Sequence, residues 1–294
     1  MNSKTIDKIA TIVISIISLS IVVILGLLII YILKEGISVL NFNFIFGMPK
    51  LTKEGGGIGP ILFNSLYMLL ISLVITIPIG VGSGIYLAEY AKNGTVLKIV
   101  RLSLETISSL PSIVIGMFGL LIFVTYLNFG YSIIAGALSV SILNIPSLAR
   151  ISESAIRSSA KKVKEASIGL GATKWQTIIK VTLPIALSEI ITGIILASGR
   201  IFGEAAAFLY TAGLSSSSKL NFNNISLTGS SAFSLFRPAE TLAVHIWKLN
   251  SEGIVPDAEK IANGTSVVLL IAVLIFNICA KLASKRLMKL FNGK

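Results

Sequence analysis

Arg200-Ile201-Phe202-Gly203-Glu204 sets two ionisable side chains inside an apolar run that extends from Leu183 to Leu209. An ionisable group within a membrane span costs at least about 2.5 to 3.5 kcal/mol on insertion scales, so it faces a cavity or a partner. A spacing of four residues predicts Arg200 and Glu204 on one helix face, which allows either a structural ion pair or a site for an anion. The guanidinium fork suits a tetrahedral oxyanion through bidentate hydrogen bonds. Glu204 would neutralise Arg200 in an empty site, or accept a hydrogen bond from a protonated oxyanion such as hydrogen phosphate; a fully deprotonated sulfate has no proton to give.

The elements that must hold these residues are membrane helices. Hydrophobic residues make up 54% of the 294-residue chain and charged ones 13%, and the mean hydropathy of +0.88 exceeds that of a soluble domain. A span takes about 20 mostly apolar residues, and six segments qualify: Ile9 to Leu33, Ile61 to Ala88, Leu104 to Leu127, Tyr131 to Leu148, Leu183 to Leu209 and Ser266 to Leu282. The first is too long for the apolar core of a signal peptide and lacks a small-residue cleavage site, so it reads as an uncleaved anchor. Residues 1–60 then form an anchor helix with its loop, and 61–294 a transmembrane domain.

Of the 25 Lys and Arg residues, 17 fall on the side of both termini and of the loop 150–182, 7 fall on the other side, and Arg200 lies within a span. The positive-inside rule predicts cytoplasmic termini in a cell membrane. The net charge of +12 is thereby a topological signal; the basic residues are not gathered with aromatics on a soluble face, so nucleic acid is not an expected partner. Small residues recur beside Pro78 (Gly80, Gly82, Gly84) and beyond Pro111 (Gly116, Gly119), where helices can approach or bend.

The loop from Arg150 to Thr182 is too polar to span but rich in helix formers. It predicts a helix over Ala155–Leu170, a turn at Gly171 and a short helix over Thr173–Lys180, with Pro184 in the first turn of the next span. Within it, Glu165-Ala166-Ser167, Gly171, Val181 and Leu183-Pro184 resemble the EAA loop of ABC importer permeases, whose pattern is Glu-Ala-Ala, three residues, Gly, nine residues, Ile, one residue, Leu-Pro. Ser167 and Val181 depart from it by one small substitution each, with the spacing intact. The resemblance implies an all-α polytopic protein of six transmembrane helices with the type I (MetI-like) importer permease fold. It also implies that the loop docks on an ATP-hydrolysing subunit, with Glu165 and Ala166 at that interface and Gly171 at the turn. No Gly-x-x-x-x-Gly-Lys-[Ser/Thr] phosphate loop occurs in the chain, so ATP and Mg are expected on two partner ATPase subunits and no cofactor on this chain.

Further blocks look like the phosphate importer permeases of the PstA type: Gly56-Gly57-Ile58-Gly59-Pro60, Ile85-Tyr86-Leu87-Ala88-Glu89-Tyr90, Leu110-Pro111-Ser112-Ile113-Val114, Gly171-Ala172-Thr173-Lys174-Trp175-Gln176, and Arg200 to Glu204. By this resemblance the chain forms half of a phosphate pathway, beside a second, related permease and under an extracytoplasmic phosphate-binding protein. Arg200, Glu204 and Arg150 would lie along the pathway; the alternative for Arg150, and the one favoured by cations commonly ending spans, is that it anchors its helix at the cytoplasmic interface. Ala205 and Ala206 stand where such permeases commonly have Thr-Ala. Sulfate or molybdate permeases share the coupling loop and are the alternative. A passive anion channel would show flux without ATP.

An intramembrane enzyme would need a nucleophile with a base, or metal ligands; His245 lies outside the spans and Cys279 has no evident base. The outer segment 215–262 begins with a Ser215–Ser218 run read as a flexible loop. It contains an amphipathic stretch, Ala239 to Leu249, expected to pack along the surface, with Trp247 at the membrane interface.

Overall fold

The apolar runs become long helices, and prolines and glycines decide where they break. A computed structural model of the protein describes residues 3–50, 54–159, 161–215, 220–223, 225–227, 231–252 and 255–291. Helix α1 (Ser3–Gly36) leads through a 3-10 turn to α2 (Phe42–Phe46), whose start is capped by Asn41 Oδ1 accepting from Phe44 N at 2.8 Å. Helix α3 (Gly59–Glu89) begins with Pro60 in its first turn and carries Pro78 inside. It is followed by α4 (Thr95–Ser109), α5 (Ser112–Gly119), α6 (Ile133–Ser159), α7 (Lys161–Gly169), α8 (Lys174–Thr177), α9 (Leu183–Gly203), α10 (Ala206–Thr211), α11 (Leu242–Glu252) and α12 (Ala258–Phe291). Among the described residues the only β pairing is one bridge, Asn221 to Ser231.

Among the described residues five helical stretches are long and apolar enough to cross a membrane: Asp7–Val39, Gly59–Glu89, Ile133–Ser158, Lys174–Gly203 and Ala258–Arg286. The third predicted span, Leu104 to Leu127, is not one helix. It breaks at Leu110-Pro111, and the two pieces meet at 96°. Proline excludes its predecessor from the helical region, and Leu110 is extended at φ −65°, ψ 140°. The second piece continues from α5 as wide π turns over Leu120–Tyr126; a sixth crossing exists only if the bent pair is taken as one span.

One more boundary moves. The predicted helix over Ala155–Leu170 falls on the last part of α6 and on α7, with residue 160 outside the described residues. The short helix predicted over Thr173–Lys180 is not freestanding. It runs through π turns at Ile178–Thr182 into α9 as one stretch, Lys174–Gly203. Pro184 has no N–H to return to the carbonyl four residues back, and the ladder widens just before it. The Ser216–Ser218 part of the expected flexible loop lies outside the described residues.

The core lies between α3, α6, α9 and α10, where Met68, Leu69, Ile133, Ala137, Val140, Ile201, Phe202, Ala207 and Phe208 are buried together. Close approach needs Gly84: a Cβ there would stand 2.4 Å from the Ser152 Cβ and 2.8 Å from the Ala149 carbonyl of α6. One end of the bundle packs Ala155 and Ile156 of α6 against Ala186 and Ile190 of α9. At the other end α11 seats Leu242 and Leu249 against Ile58, Ile61 and Ile261. His245, which sequence leaves as a lone histidine, is buried there with Nδ1 2.7 Å from Glu240 Oε1. Burial holds the neighbouring Arg237 guanidinium below its usual range, and its Nη2 donates to Asn64 Oδ1 at 2.8 Å. Helix α1 is exposed along its apolar length and meets α12 near its own end.

Candidate functional site

Arg200 stands in the last turn of α9, where a cation suits the negative end of the helix dipole. Its side chain is exposed, as are those of Thr192 and Leu196, which precede it at four-residue spacing on the same stripe. Glu204 does not share that face. The helix stops at Gly203, Glu204 is extended at φ −75°, ψ 118°, and its carboxylate turns back into the protein at 8% exposure. Oε1 accepts from Ala207 N at 3.1 Å, so the acid caps α10, where the dipole favours it. The expectation of one shared face is therefore corrected: it assumed a continuous helix to Leu209, and the chain bends at Gly203-Glu204. Among the described residues no ion pair joins Arg200 to Glu204.

Arg150 lies within α6, well before its end at Ser159, rather than at a helix end. It pairs with Glu105 of α4 at 2.6 Å, both side chains about half exposed. The structure thus brings Arg150 to the bent element α4, and among the described residues no hydrogen bond or ion pair links it to Arg200 or Glu204.

The loop with the EAA-like spacing forms a tight hairpin of α7 and α8. Leu170 N returns to the Ala166 carbonyl at 3.0 Å and Gly171 N to that of Ile168 at 2.9 Å. Gly171 itself takes φ +86°, a conformation that side chains disfavour. Beyond it Thr173 and Gln176 form a reciprocal capping box, with Thr173 N donating to Gln176 Oε1 at 2.9 Å. Ser167, the departure from Glu-Ala-Ala, uses its hydroxyl: Oγ lies 3.0 Å from Thr177 Oγ1 and fastens α7 to α8. Glu165 and Ala166 are exposed, and beside them Leu170 is 90% and Trp175 60% exposed. Leu183 packs on the Ala155–Ile190 cluster, and Pro184 is half-buried. The hairpin thus presents Glu165 beside exposed apolar side chains, on elements whose other charges are lysines.

Carboxylates that sequence did not single out hold this end together. Glu153 of α6 accepts from Arg101 of α4, Nε at 3.1 Å, and pairs with Arg157 at 3.0 Å. Glu89, at the end of α3, pairs with Lys164 of α7. The signal available in the sequence was an acid at the end of an apolar run; apart from Arg157, four residues from Glu153, the partners lie 52 to 75 residues away. Among the described residues no group of three His, Cys, Asp or Glu side chains is placed to hold a metal ion.

Comparison with known proteins gives a family match over residues 80–291, the family being described as binding-protein-dependent transport system inner membrane component. A probable ABC transporter permease protein, YqgI of Bacillus subtilis, is 51% identical over 96% of both chains. The phosphate transport system permease protein PstA of Yersinia pestis is 32% identical over 84% of this chain and 78% of its own. A chain of the crystal structure of a bacterial alginate ABC transporter, in complex with alginate pentasaccharide-bound periplasmic protein, superposes with a TM-score of 0.66 over 96% of each chain at 15% identity. A chain of the inward facing MetNI methionine ABC transporter gives 0.57 over 78% of this chain and 93% of that chain at 18% identity.

Proposed function

This chain belongs to the family of binding-protein-dependent transport system inner membrane components, and on that premise we propose that it forms half of the path by which an ATP-driven importer carries inorganic phosphate. It is an ABC importer permease of the MetI-like fold and a multi-pass membrane protein. The cargo is the further step. It is supported by the relatives named for phosphate transport and above all by the exposed Arg200 guanidinium on the open stripe of α9, which has no carboxylate partner among the described residues. Left unneutralised, that fork offers two parallel donors to an oxyanion. Glu204 fixes the elbow beyond Arg200 by capping α10, and Arg150 with Glu105 stands as a second charged point on the inner side.

Positive-inside counting places both termini and the α7–α8 hairpin in the cytoplasm. Glu165, Ala166 and the exposed Leu170 and Trp175 would meet one of two ATPase subunits, which bind ATP and Mg. Gly171 and Ser167 hold the hairpin's shape, and Leu183 and Pro184 join it to α9, so a push on the hairpin reaches the helix that carries Arg200. A second, related permease would face the open stripe of α9, and an extracytoplasmic phosphate-binding protein would load the pathway. The switch between outward-facing and inward-facing states is driven only by partners that bind those states unequally. Sulfate or molybdate is the alternative cargo.

The test is ATP-dependent uptake of labelled phosphate into vesicles that hold this chain with its partners, with sulfate as competitor, comparing wild type with Arg200→Gln and Arg200→Lys. Uptake that ignores sulfate and falls at least about tenfold in Arg200→Gln, and less in Arg200→Lys, is expected, because lysine keeps the charge but not the fork. Unchanged uptake in Arg200→Gln removes Arg200 from the pathway, and transport of sulfate in place of phosphate overturns the cargo.

A further inference from the structure

The last turn of α3 has carbonyls with no partner further along the helix, as every helix end does. Tyr90 N and Ala91 N both turn back to the Tyr86 carbonyl, at 2.9 and 3.0 Å, which leaves the carbonyls of Leu87 and Glu89 to other donors. Cations from distant elements take them. Arg157 of α6 donates from Nη2 to the Leu87 carbonyl at 2.8 Å, and Lys174 of α8 donates from Nζ to the Glu89 carbonyl. Lys174 also lies 4.6 Å from the centre of the Tyr90 ring. Lys164 of α7 pairs with the Glu89 carboxylate.

The three cations sit where the helix dipole favours them; Glu89 does not. A carboxylate at a helix C-terminus opposes the dipole, and with its side chain 3% exposed it requires a partner charge. Stability of α3 alone therefore gives no reason for an acid here, whereas attachment does: Lys164 and Lys174 come from the two arms of the hairpin, one on each side of Gly171. At its far end α3 is fastened again. Asn64 Nδ2 donates to the Glu240 carbonyl at 3.2 Å, Ser65 Oγ accepts from Leu242 N at 2.7 Å, and Tyr67 donates to the Phe233 carbonyl at 2.8 Å. The whole 31-residue helix, which carries these fastenings near its two ends, is about 46 Å long at 1.5 Å per residue.

We infer that Glu89 is a positioning residue which clamps the end of α3 to the α7–α8 hairpin, so that displacement of the hairpin is delivered to α3 as well as to α9. The covalent chain alone connects the hairpin forward to α9 and back to α6; the clamp adds the third helix of the core and, through it, the opposite loop. This inference rests on the proposed function, because it needs a hairpin that an ATPase moves.

The experiment measures cargo moved per ATP hydrolysed by the reconstituted complex, for wild type, Glu89→Gln and the exchanged pair Glu89→Lys with Lys164→Glu. Loss of a charge-assisted contact predicts that Glu89→Gln hydrolyses ATP within about twofold of wild type while cargo per ATP falls about tenfold, and that the exchange recovers most of the loss. A merely structural role would lower assembly and leave cargo per ATP in the surviving complexes unchanged. An unchanged ratio in Glu89→Gln, or a lowered ratio that the exchange does not recover, overturns the clamp. If Glu89→Gln does not assemble, the exchanged pair decides alone: a ratio like wild type supports the clamp, and an uncoupled one refutes it. A wild-type complex that moves sulfate and not phosphate would refute the proposed cargo, and the ratio would then be read on sulfate.

Discussion

Replacing Glu204 by glutamine and by alanine separates two roles that one carboxylate could have. The side chain is 8% exposed and its Oε1 accepts from Ala207 N at 3.1 Å, at the start of α10. Glutamine keeps the length and an acceptor oxygen, so the cap survives as a neutral hydrogen bond; the loss is the difference between a charge-assisted bond of about 1.5 to 3 kcal/mol and a neutral one of about 1 kcal/mol, roughly 1 kcal/mol. Alanine removes the acceptor and leaves the buried Ala207 N–H without a partner, which costs about 1 to 3 kcal/mol, in addition to the small void left by the shortened side chain. If Glu204 acts by holding the elbow after Arg200, stability should fall in the order wild type, Gln, Ala, and uptake should follow the same order with Gln near wild type. Thermal unfolding of the purified chain in detergent gives the first series, and vesicle uptake at matched complex content gives the second. A glutamine variant as stable as expected but as inactive as alanine would refute the capping account, since only the charge would then have been lost.

Two further outcomes test the hairpin and the core. Gly171→Ala should destabilise the hairpin by about 1 to 2 kcal/mol, because Gly171 holds φ +86° and an L-residue is strained there; ATPase activity that no longer responds to the loaded binding protein is the measurement. Gly84→Leu should separate α3 from α6, since even a Cβ would meet Ser152 and Ala149 within 2.8 Å, and overpacking of this kind costs about 1 to 3 kcal/mol or more. Loss of folded protein on size-exclusion chromatography would show it, and a normal yield would mean that the two helices part more readily than their packing implies.

Hydropathy alone located most of the bundle, because a bilayer tolerates backbone only where its polar groups are internally bonded, and that constraint writes itself as long apolar runs. Gly56 to the last span, the glycines facing α6 and the turn at Gly171 were legible for the same local reasons. What hydropathy could not give was direction. Leu104 to Leu127 is apolar enough to cross, yet Pro111 turns it through 96°, and α4 keeps Arg101 and Glu105 for partners on α6. Gly203-Glu204 reads as helix in an apolar window, while the structure bends there and buries the acid as a cap. Glu153 shows a local pattern only toward Arg157, one turn along α6; its other cation, Arg101, and the Lys164 partner of Glu89 are far away in sequence and arrive only when α3, α4, α6 and α7 pack.

Helix α1 has no buried side chain along its apolar window and meets α12 where Gly36 lies so close that a Cβ would stand 2.3 Å from the Asn263 carbonyl. In water such a helix would have nothing to shelter it; in a bilayer, hydrocarbon chains take the place that a protein core takes elsewhere. It is moored at one point and afloat along the rest. Within this chain the other helices can therefore change tilt without unzipping a packed seam along α1.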